Sequence, residues 1–197
     1  MTVKVWIDAF VKPAATFKAQ KSKASLKAGL MNYGIAGLIS GIITAVIILA
    51  GLSALVSTGF TLPSMEGVGV TGAVGAVIGG IIAALIGSLI ITAILWVVAR
   101  ILGGKGTYTQ QYYLVSLYAV PVAILSIIPL VNILVILYGL YLLTVALREA
   151  HGYGTGKAVI TWLILLVIVV IIALVIGAAI LGSFLAGFSS SAGLPAY

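Results

Sequence analysis

Five long apolar runs separated by short polar stretches dominate the pattern along the chain. In a helix that rises 1.5 Å per residue, about 20 apolar residues cross the hydrocarbon core of a bilayer. The strands of a membrane barrel would instead be short and would alternate between polar and apolar positions. The pattern therefore predicts an all-α, polytopic membrane protein with five transmembrane helices, over residues 30–56, 71–98, 112–128, 130–147 and 158–182.

The third and fourth runs are the shortest and flank Pro129. Two full spans are expected here, but a re-entrant hairpin over residues 112–147, which enters and leaves the membrane on one side, stays open. Pro121 lies inside the third run and lacks a backbone N–H, so it is expected to kink this helix near Leu117. Tyr118, which precedes Pro121 by about one turn, is then placed to face the gap.

Residues 3–12 have the spacing of an amphipathic helix. Its apolar face comprises Val3, Trp6, Ile7, Phe10 and Val11, and its charged face comprises Lys4, Asp8 and Lys12. We expect this helix to lie on the cytoplasmic leaflet, with its aromatic side chains in the lipid and the lysines on lipid phosphates. A helix that docks a protein partner is the alternative. The residues expected at the membrane surface are Trp6, Phe10, Phe17, Lys18, Lys21, Lys23 and Lys27.

Composition excludes a soluble protein, because 63% of the residues are hydrophobic and only 7% are charged, against about 25% charged residues in soluble domains. The net charge of +7 is unevenly distributed. Six of the ten Lys and Arg residues lie in residues 1–27, two follow the second run, and two follow the fourth. Because cytoplasmic loops are rich in these residues, the N-terminus is expected inside and the C-terminus outside.

This charge distribution suits the anionic lipids of an inner leaflet and argues against nucleic acid as a partner. It also divides the chain into three parts. A basic amphipathic cytoplasmic segment covers residues 1–27, a five-helix transmembrane domain covers residues 28–183, and a short external tail covers residues 184–197.

The loop ALREAHGYGTGKA, residues 146–158, holds the only histidine, His151, next to Glu149 and Arg148, with Lys157 at its end. A zinc site needs about four ligands, and a chain with one histidine and no cysteine does not supply them, so no metal is expected. His151 is expected in a solvated loop or at a partner contact. A role in sensing pH rests only on its residue type.

The glycine-rich stretch GGKGT, residues 103–107, does not have the spacing of a phosphate-binding loop, because Ala99 and Gly106 occupy positions where that motif needs Gly and Ser or Thr. A tight cytoplasmic turn with an interfacial Lys105 is expected instead. The chain also offers no nucleophile–base pair and no paired carboxylates, so neither an enzyme nor a bound cofactor is expected. The candidate functional residues are Lys105, Tyr118, Pro121, Tyr138, Arg148, Glu149, His151 and Lys157.

Small residues recur every four positions in the second run, at Gly72, Ala76, Gly80, Ala84 and Ser88, with Gly75 and Gly79 on a neighbouring stripe. Such stripes let helix backbones approach closely in lipid. Packing within the chain is the expected use, and homo-oligomerisation through the second stripe is the alternative.

The chain resembles the Yip1 domain family of five-span membrane proteins. The resemblance is carried by GGKGTYTQQYYLVSLYAVP (103–121), YGLYLLTVALREAHG (138–152), TGKAV before the last run, and KPAATF with Pro13 and Phe17. It implies the five-span fold and, for eukaryotic members, contact with Rab-type small GTPases. This chain is expected to lack the longer N-terminal region of those members, and its compact form is more similar to prokaryotic members.

The function expected from these observations is that of a non-enzymatic membrane scaffold or adaptor that acts through a basic cytoplasmic face. Its partners would be anionic lipids, a second copy of the chain or another membrane protein, in the plasma membrane of a prokaryote. A small-solute transporter or channel subunit is the alternative, because of the kink at Pro121, the hydroxyls of Tyr118, Tyr138 and Tyr141, and the possible re-entrant pair of helices.

Overall fold

The computed structural model describes residues 3–50 and 69–191, and for residues 129–130 and 184–191 it describes the backbone alone. Every regular element in these ranges is helical, which confirms the all-α prediction. The helices are α1 (Val3–Val11), α2 (Pro13–Gln20), α3 (Leu26–Leu49), α4 (Gly69–Ile101), α5 (Tyr108–Ser116), α6 (Ala119–Leu125), α7 (Pro129–His151) and α8 (Thr155–Ser191), with a 3₁₀ turn at Lys21–Lys23 between α2 and α3.

Four stretches of helix are long and apolar enough to cross a bilayer, namely Leu26–Leu49, Gly69–Ile101, Val131–His151 and Thr155–Ser183. Four of the five predicted runs are therefore found as helices of spanning length. The third run is divided between α5 and α6, which have nine and seven residues. Neither of these helices alone reaches the roughly 20 residues that a span requires, so the fifth span and the orientation of the chain stay predictions.

One predicted boundary lies outside the described residues, and a helix continues past another. The first run was expected to continue to residue 56, but residues 51–68 lie outside the described part of the chain. The external tail was expected from residue 184, whereas α8 continues as a helix to Ser191. Residues 192–197 of the predicted tail also lie outside the described part.

The break between α5 and α6 lies where Pro121 predicts it, at Leu117 and Tyr118. A proline removes the N–H that would have bonded to the carbonyl four residues earlier, here that of Leu117. The Ser116 hydroxyl donates to the carbonyl oxygen of Tyr113 at 2.7 Å, and this satisfies one backbone acceptor in the last turn of α5.

Helices α3 and α4 pack through the first small-residue stripe. A Cβ atom on Gly37 would lie 2.6 Å from the Cβ of Ala84, and one on Gly80 would lie 2.8 Å from the carbonyl oxygen of Gly37. The two backbones therefore touch directly, as small-xxx-small helix pairs do. Gly75 and Gly79 face the other way, where a Cβ atom would find no described neighbour within 4 Å. The first stripe thus packs within the chain, as expected.

The N-terminal helices pack onto the bundle. Phe17, expected in the lipid, is instead fully buried among residues of α5 and α7, including Leu114, Ala146 and Ala150. Its ring lies 6.3 Å from that of Tyr118. The expectation of a membrane-surface role for Phe17 is therefore wrong, because a side chain with no exposed area cannot reach lipid.

Helix α1 uses its apolar face in two ways. The indole N–H of Trp6 donates to Oδ1 of Asn32 at 3.0 Å, and Phe10 packs edge-on against Tyr138 with ring centroids 4.8 Å apart. A second apolar stripe, formed by Val3, Ile7 and Val11, stays exposed. Half of the predicted amphipathic face therefore contacts the protein, and the other half is open to lipid or to a partner.

The contact between α3 and α4 gives a test with a matched control on adjacent residues. Gly80→Ala is expected to lower the free energy of unfolding by about 1–3 kcal/mol, because the added methyl group overpacks a backbone contact. Gly79→Ala is expected to be neutral or to stabilise by about 0.5–1 kcal/mol, since Ala is the better helix former. Unfolding in mixed micelles, followed by circular dichroism, measures both; equal losses would contradict this packing.

Candidate functional site

The loop between α4 and α5 closes onto the C-terminal end of α7. The amide of Lys105 donates to the carbonyl oxygen of His151 at 3.1 Å, and the amide of Gly106 donates to Nδ1 of His151 at 3.2 Å. We call His151, Gln111 and loop residues 102–107 the polar junction, and the end of the bundle that carries it the junction end.

His151 uses both ring nitrogens inside the protein. Because Nδ1 accepts a hydrogen bond from a backbone N–H, the ring proton resides on Nε2, which donates to Oε1 of Gln111 at 2.6 Å. The Gln111 amide nitrogen in turn donates to the carbonyl oxygen of Thr92 at 3.1 Å. This neutral imidazole connects α4, α5 and α7, and neither of its nitrogens is available to a metal ion or a substrate.

The expectation of a solvated or partner-contacting His151 is therefore wrong, since its side chain is only 1% exposed. The ring stacks on Tyr153 with centroids 5.3 Å apart and an interplanar angle of 10°. The Tyr153 hydroxyl pairs with that of Thr161 at 2.9 Å. Burial raises the pKa of the Tyr153 hydroxyl above its ordinary value, and the hydrogen bond with Thr161 acts in the opposite direction.

Glycines allow the loop to approach α7 this closely. Gly103 has a φ of +86° and Gly152, which ends α7, has a φ of +67°, a region that favours glycine. A Cβ on Gly104 would lie 2.5 Å from Nδ1 of His151, and one on Gly106 would collide with the carbonyl oxygen of Ala150. The glycines of GGKGT therefore make room for an imidazole.

Neighbouring side chains hold both ends of the loop. The indole N–H of Trp96 donates to the carbonyl oxygen of Gly106 at 3.1 Å. Thr107 then begins α5 with a capping box, in which its hydroxyl accepts from the amide of Gln110 and the Gln110 side chain accepts from the amide of Thr107. The loop is thus bonded along its length.

The basic residues around the junction differ in how they are held. Arg148 forms an ion pair with its neighbour Glu149 at 3.1 Å, so these two predicted site residues satisfy each other. The ammonium group of Lys157 donates to the carbonyl oxygen of Leu102 at 3.0 Å. The Arg100 guanidinium lies 5.6 Å from the centre of the Trp96 ring, within the range of a cation–π contact.

The N-terminal lysines meet the same end of the bundle. The Lys21–Lys23 turn packs against α5, and Oε1 of Gln20 accepts a hydrogen bond from the Tyr113 hydroxyl at 3.1 Å. We call the basic residues at this end the basic rim, and they are Lys18, Lys21, Lys23, Lys27, Arg100, Lys105, Arg148 and Lys157. Of these, Lys18, Lys23, Lys27, Arg100, Lys105 and Lys157 are exposed.

A second feature lies deeper, beside the break between α5 and α6. A groove of about 390 Å³ separates α6 from α3 and α4, a volume near the lower end of those that hold small ligands. Gly37, Gly80, Ala84 and Ala119 form its walls, and Tyr33, Ser40, Tyr118 and Ser126 add hydroxyl groups.

The predicted site residues of this region have different places. Tyr118 lines the groove, whereas Pro121 is not among the lining residues. Tyr138 also lies elsewhere, and its hydroxyl donates to the carbonyl oxygen of Phe10 at 2.5 Å. In the described part of the chain, no three His, Asp or Glu side chains come together as metal ligands.

Sequence reasoning missed the buried polar residues that connect the helices. Gln111 belongs to the polar stretch TYTQQ, which reads as a loop, and Asn32 stands near the start of a long apolar run. The Asn32 amide donates to the Ser116 hydroxyl at 2.9 Å. The one amide side chain of the first apolar run was the available signal, because buried polar groups in membranes are paired.

Comparison with known proteins gives one match. A family model described as the Yip1 domain matches residues 7–192, which includes all of α3 to α8. Searches of curated proteins and of solved structures found no match.

The polar junction predicts the effect of removing its imidazole. His151→Ala leaves the Gly106 amide and the Gln111 side chain without their partner, and each buried unsatisfied group costs about 1–3 kcal/mol. We expect reduced stability in detergent and faster hydrogen exchange at the amides of the loop. Lys105→Ala, in the same loop but with an exposed side chain, is the control; equal stability of the two variants would contradict a structural role for His151.

Proposed function

The chain belongs to the Yip1 domain family, and we propose that it is a non-enzymatic membrane scaffold or adaptor that acts through the basic rim. Its primary partner is the anionic surface of the bilayer, and a membrane protein or a second copy of the chain is a further partner. The single observation that carries this proposal is that basic residues from three separate segments of the sequence meet at one end of the bundle.

The rim is suited to lipid headgroups because most of its lysines are exposed while its supporting backbone is held in place. In the described part of the chain, Glu149 pairs with Arg148 alone, so most of the positive charge of the rim is not neutralised by these residues. Each Lys or Arg near an anionic surface contributes about 1 kcal/mol of attraction. The hydrogen bonds of His151 to the loop keep Lys105 at the level of Lys157.

The same charge supports the orientation. Segments rich in Lys and Arg remain cytoplasmic, so we infer that the junction end faces the cytoplasm, with the N-terminus inside and the C-terminus outside. We further propose that this membrane is the plasma membrane of a prokaryote.

Charge removal tests the scaffold proposal more cleanly than deletion, because α2 contributes Phe17 to the core. Replacing Lys18, Lys23 and Lys27 with Gln is expected to reduce the anionic lipid that the protein retains when released from mixed nanodiscs, since about 1 kcal/mol is lost for each lysine. Native mass spectrometry measures the retained phosphatidylglycerol. The control replaces the same lysines with Arg; unchanged retention in the Gln variant would exclude the rim as the lipid contact.

The groove favours a second candidate function, a path for a small solute. It adjoins a break in a helix, and irregular backbone at membrane depth is tolerated where it lines a cavity. The hydroxyls of Tyr118 and Ser40 along the groove could exchange hydrogen bonds with a polar solute.

Filling the groove tests this second candidate. In reconstituted liposomes, Ala123→Trp is expected to block any solute flux, because Ala123 lines the groove. Ile124→Trp is the matched control, since this neighbouring side chain is exposed. An absence of flux across a broad panel of solutes in the unmodified protein would exclude the path.

A further inference from the structure

Two cationic side chains from different helices end on the same short turn of the polar junction. The Arg100 guanidinium, from the last turn of α4, donates a long hydrogen bond to the carbonyl oxygen of Gly104 at 3.4 Å. The Lys157 ammonium, from the first turn of α8, donates to the carbonyl oxygen of Leu102 at 3.0 Å. Because the Cα atoms of residues 102 and 104 are at most about 7 Å apart, the two positive charges share a small surface.

The carbonyl oxygens orient these two cations without neutralising them. A carbonyl group carries no net charge, and the guanidinium and the ammonium both retain unused N–H donors. In the described part of the chain, the carboxylate of Glu149 pairs with Arg148 and with neither of these cations. Like charges on one turn repel each other, so an anion placed between Arg100 and Lys157 would relieve their repulsion.

Neighbouring groups fix the position of this pair. The Arg100 guanidinium lies 5.6 Å from the centre of the Trp96 ring, and the indole N–H of Trp96 donates to the carbonyl oxygen of Gly106 at 3.1 Å. Between these residues stands Lys105, whose backbone amide donates to His151 at 3.1 Å and whose side chain is exposed. The loop therefore holds a third cation next to the other two.

Glycines leave the surface around the pair open to a ligand. Gly103, Gly154 and Gly156 are all exposed. A Cβ atom on Gly154 or Gly156 would find no described atom within 4 Å, and one on Gly103 would meet only Nζ of Lys157, at 3.6 Å. A phosphate group can therefore reach the two cations without displacing a side chain of the described residues.

The apolar surface of the bundle begins directly beside these cations. On α4, Val97 is 49% exposed and Ile101 is 78% exposed, so apolar side chains lie one turn before Arg100 and next to it. On α8, Ile160 is 46% exposed and lies about one turn after Lys157. The cations thus stand at the level where headgroups meet hydrocarbon, which favours the phosphate of a lipid over a phosphate free in solution.

The number of cations indicates the class of headgroup. A phosphate monoester has three free oxygens and a charge of about −1.5 to −2 at neutral pH. The phosphate of phosphatidylglycerol is a diester, with two free oxygens and a single negative charge. Arg100, Lys105 and Lys157 provide three positive charges, which match the monoester better than the diester.

We propose that Arg100, Lys105 and Lys157 form a binding site for the headgroup of a lipid phosphate monoester, the class to which phosphatidic acid belongs. Arg100 and Lys157 bond to the phosphate oxygens, and Lys105 adds the third positive charge. The acyl chains lie along the exposed apolar side chains of α4 and α8. This inference rests on the proposed action of the basic rim on anionic lipids, and it gives the rim a preference for one class of headgroup.

The preference is measured by native mass spectrometry of the whole protein released from nanodiscs. The nanodiscs contain phosphatidylcholine with equal amounts of phosphatidic acid and phosphatidylglycerol. The protein is expected to retain about five times more phosphatidic acid than phosphatidylglycerol, which is the effect of about one additional charge. Equal retention of the two lipids would overturn the site and would leave the basic rim intact, whereas retention of neither lipid would contradict both.

Paired substitutions test the location of the site. Arg100→Gln with Lys157→Gln is expected to bring the ratio of the two lipids to about one. Lys23→Gln with Lys27→Gln removes the same charge elsewhere on the rim, and is expected to reduce both lipids while the ratio stays unchanged. A ratio that survives the first pair, or that falls equally in both pairs, would overturn the assignment.

Two single variants keep this test decisive if the first pair does not fold. Lys157→Gln changes one exposed side chain, whose amide can still donate to the turn, and is expected to lower the ratio. Lys157→Arg preserves the charge and is expected to retain the ratio. Circular dichroism checks the fold of each variant, and equal ratios in these two folded proteins would contradict a role for Lys157.

A soluble competitor distinguishes a lipid from a free phosphate. Glycerol 3-phosphate carries the phosphate monoester of phosphatidic acid without its acyl chains. It is expected to leave the retained phosphatidic acid in place, because the lipid gains the apolar contacts of α4 and α8 as well. Displacement of the lipid by an equimolar amount of this competitor would mean that the site takes a free phosphate, and the lipid site would be overturned.

Discussion

The structure depends on one buried imidazole. His151 accepts a hydrogen bond from the Gly106 amide and donates one to Gln111. Gln111 in turn donates to the carbonyl oxygen of Thr92 on α4. Three helices and a loop are thereby joined by groups that would be costly to leave unpaired in a low-dielectric interior. Without these hydrogen bonds the loop, which contains three glycines, would have many conformations available.

Because the helices are joined at one end, the two ends of the bundle have different characters. The junction end has a core of ordinary protein type, with Leu114, Leu117 and Leu142 fully buried. Toward the far end, contact between helices depends on the glycines of α3 and α4, while the side chains of α8 from residue 166 to residue 183 are almost all exposed. In lipid no hydrophobic force drives apolar helices together, so the far end needs no further core. The basic rim belongs to the junction end, and the groove lies beside the glycine contact between α3 and α4.

The sequence predicts the elements better than it predicts their partners. Four of the five apolar runs form helices of spanning length, and the break before Pro121 and the turn at Gly152 also follow from local chemistry. The predictions for Phe17 and His151 were wrong for a common reason, which is that a sequence pattern does not identify the partner of a side chain. An amphipathic segment has the same pattern whether its apolar face meets lipid or protein, and a histidine in a glycine-rich loop gives no sign of a partner 40 positions away.

The hydrogen bond from Tyr138 to the carbonyl oxygen of Phe10 joins residues that are 128 positions apart. During synthesis, α1 therefore exists for a long time before its docking site on α7 does. At 5–20 residues per second, this interval is roughly 6 to 26 seconds. The nascent protein thus has an early state in which α1 can contact the membrane surface and Asn32 of α3 but not α7. The contact with Tyr138 forms only after the fourth run is made, so the docking of the first helix is among the last packing steps of the protein.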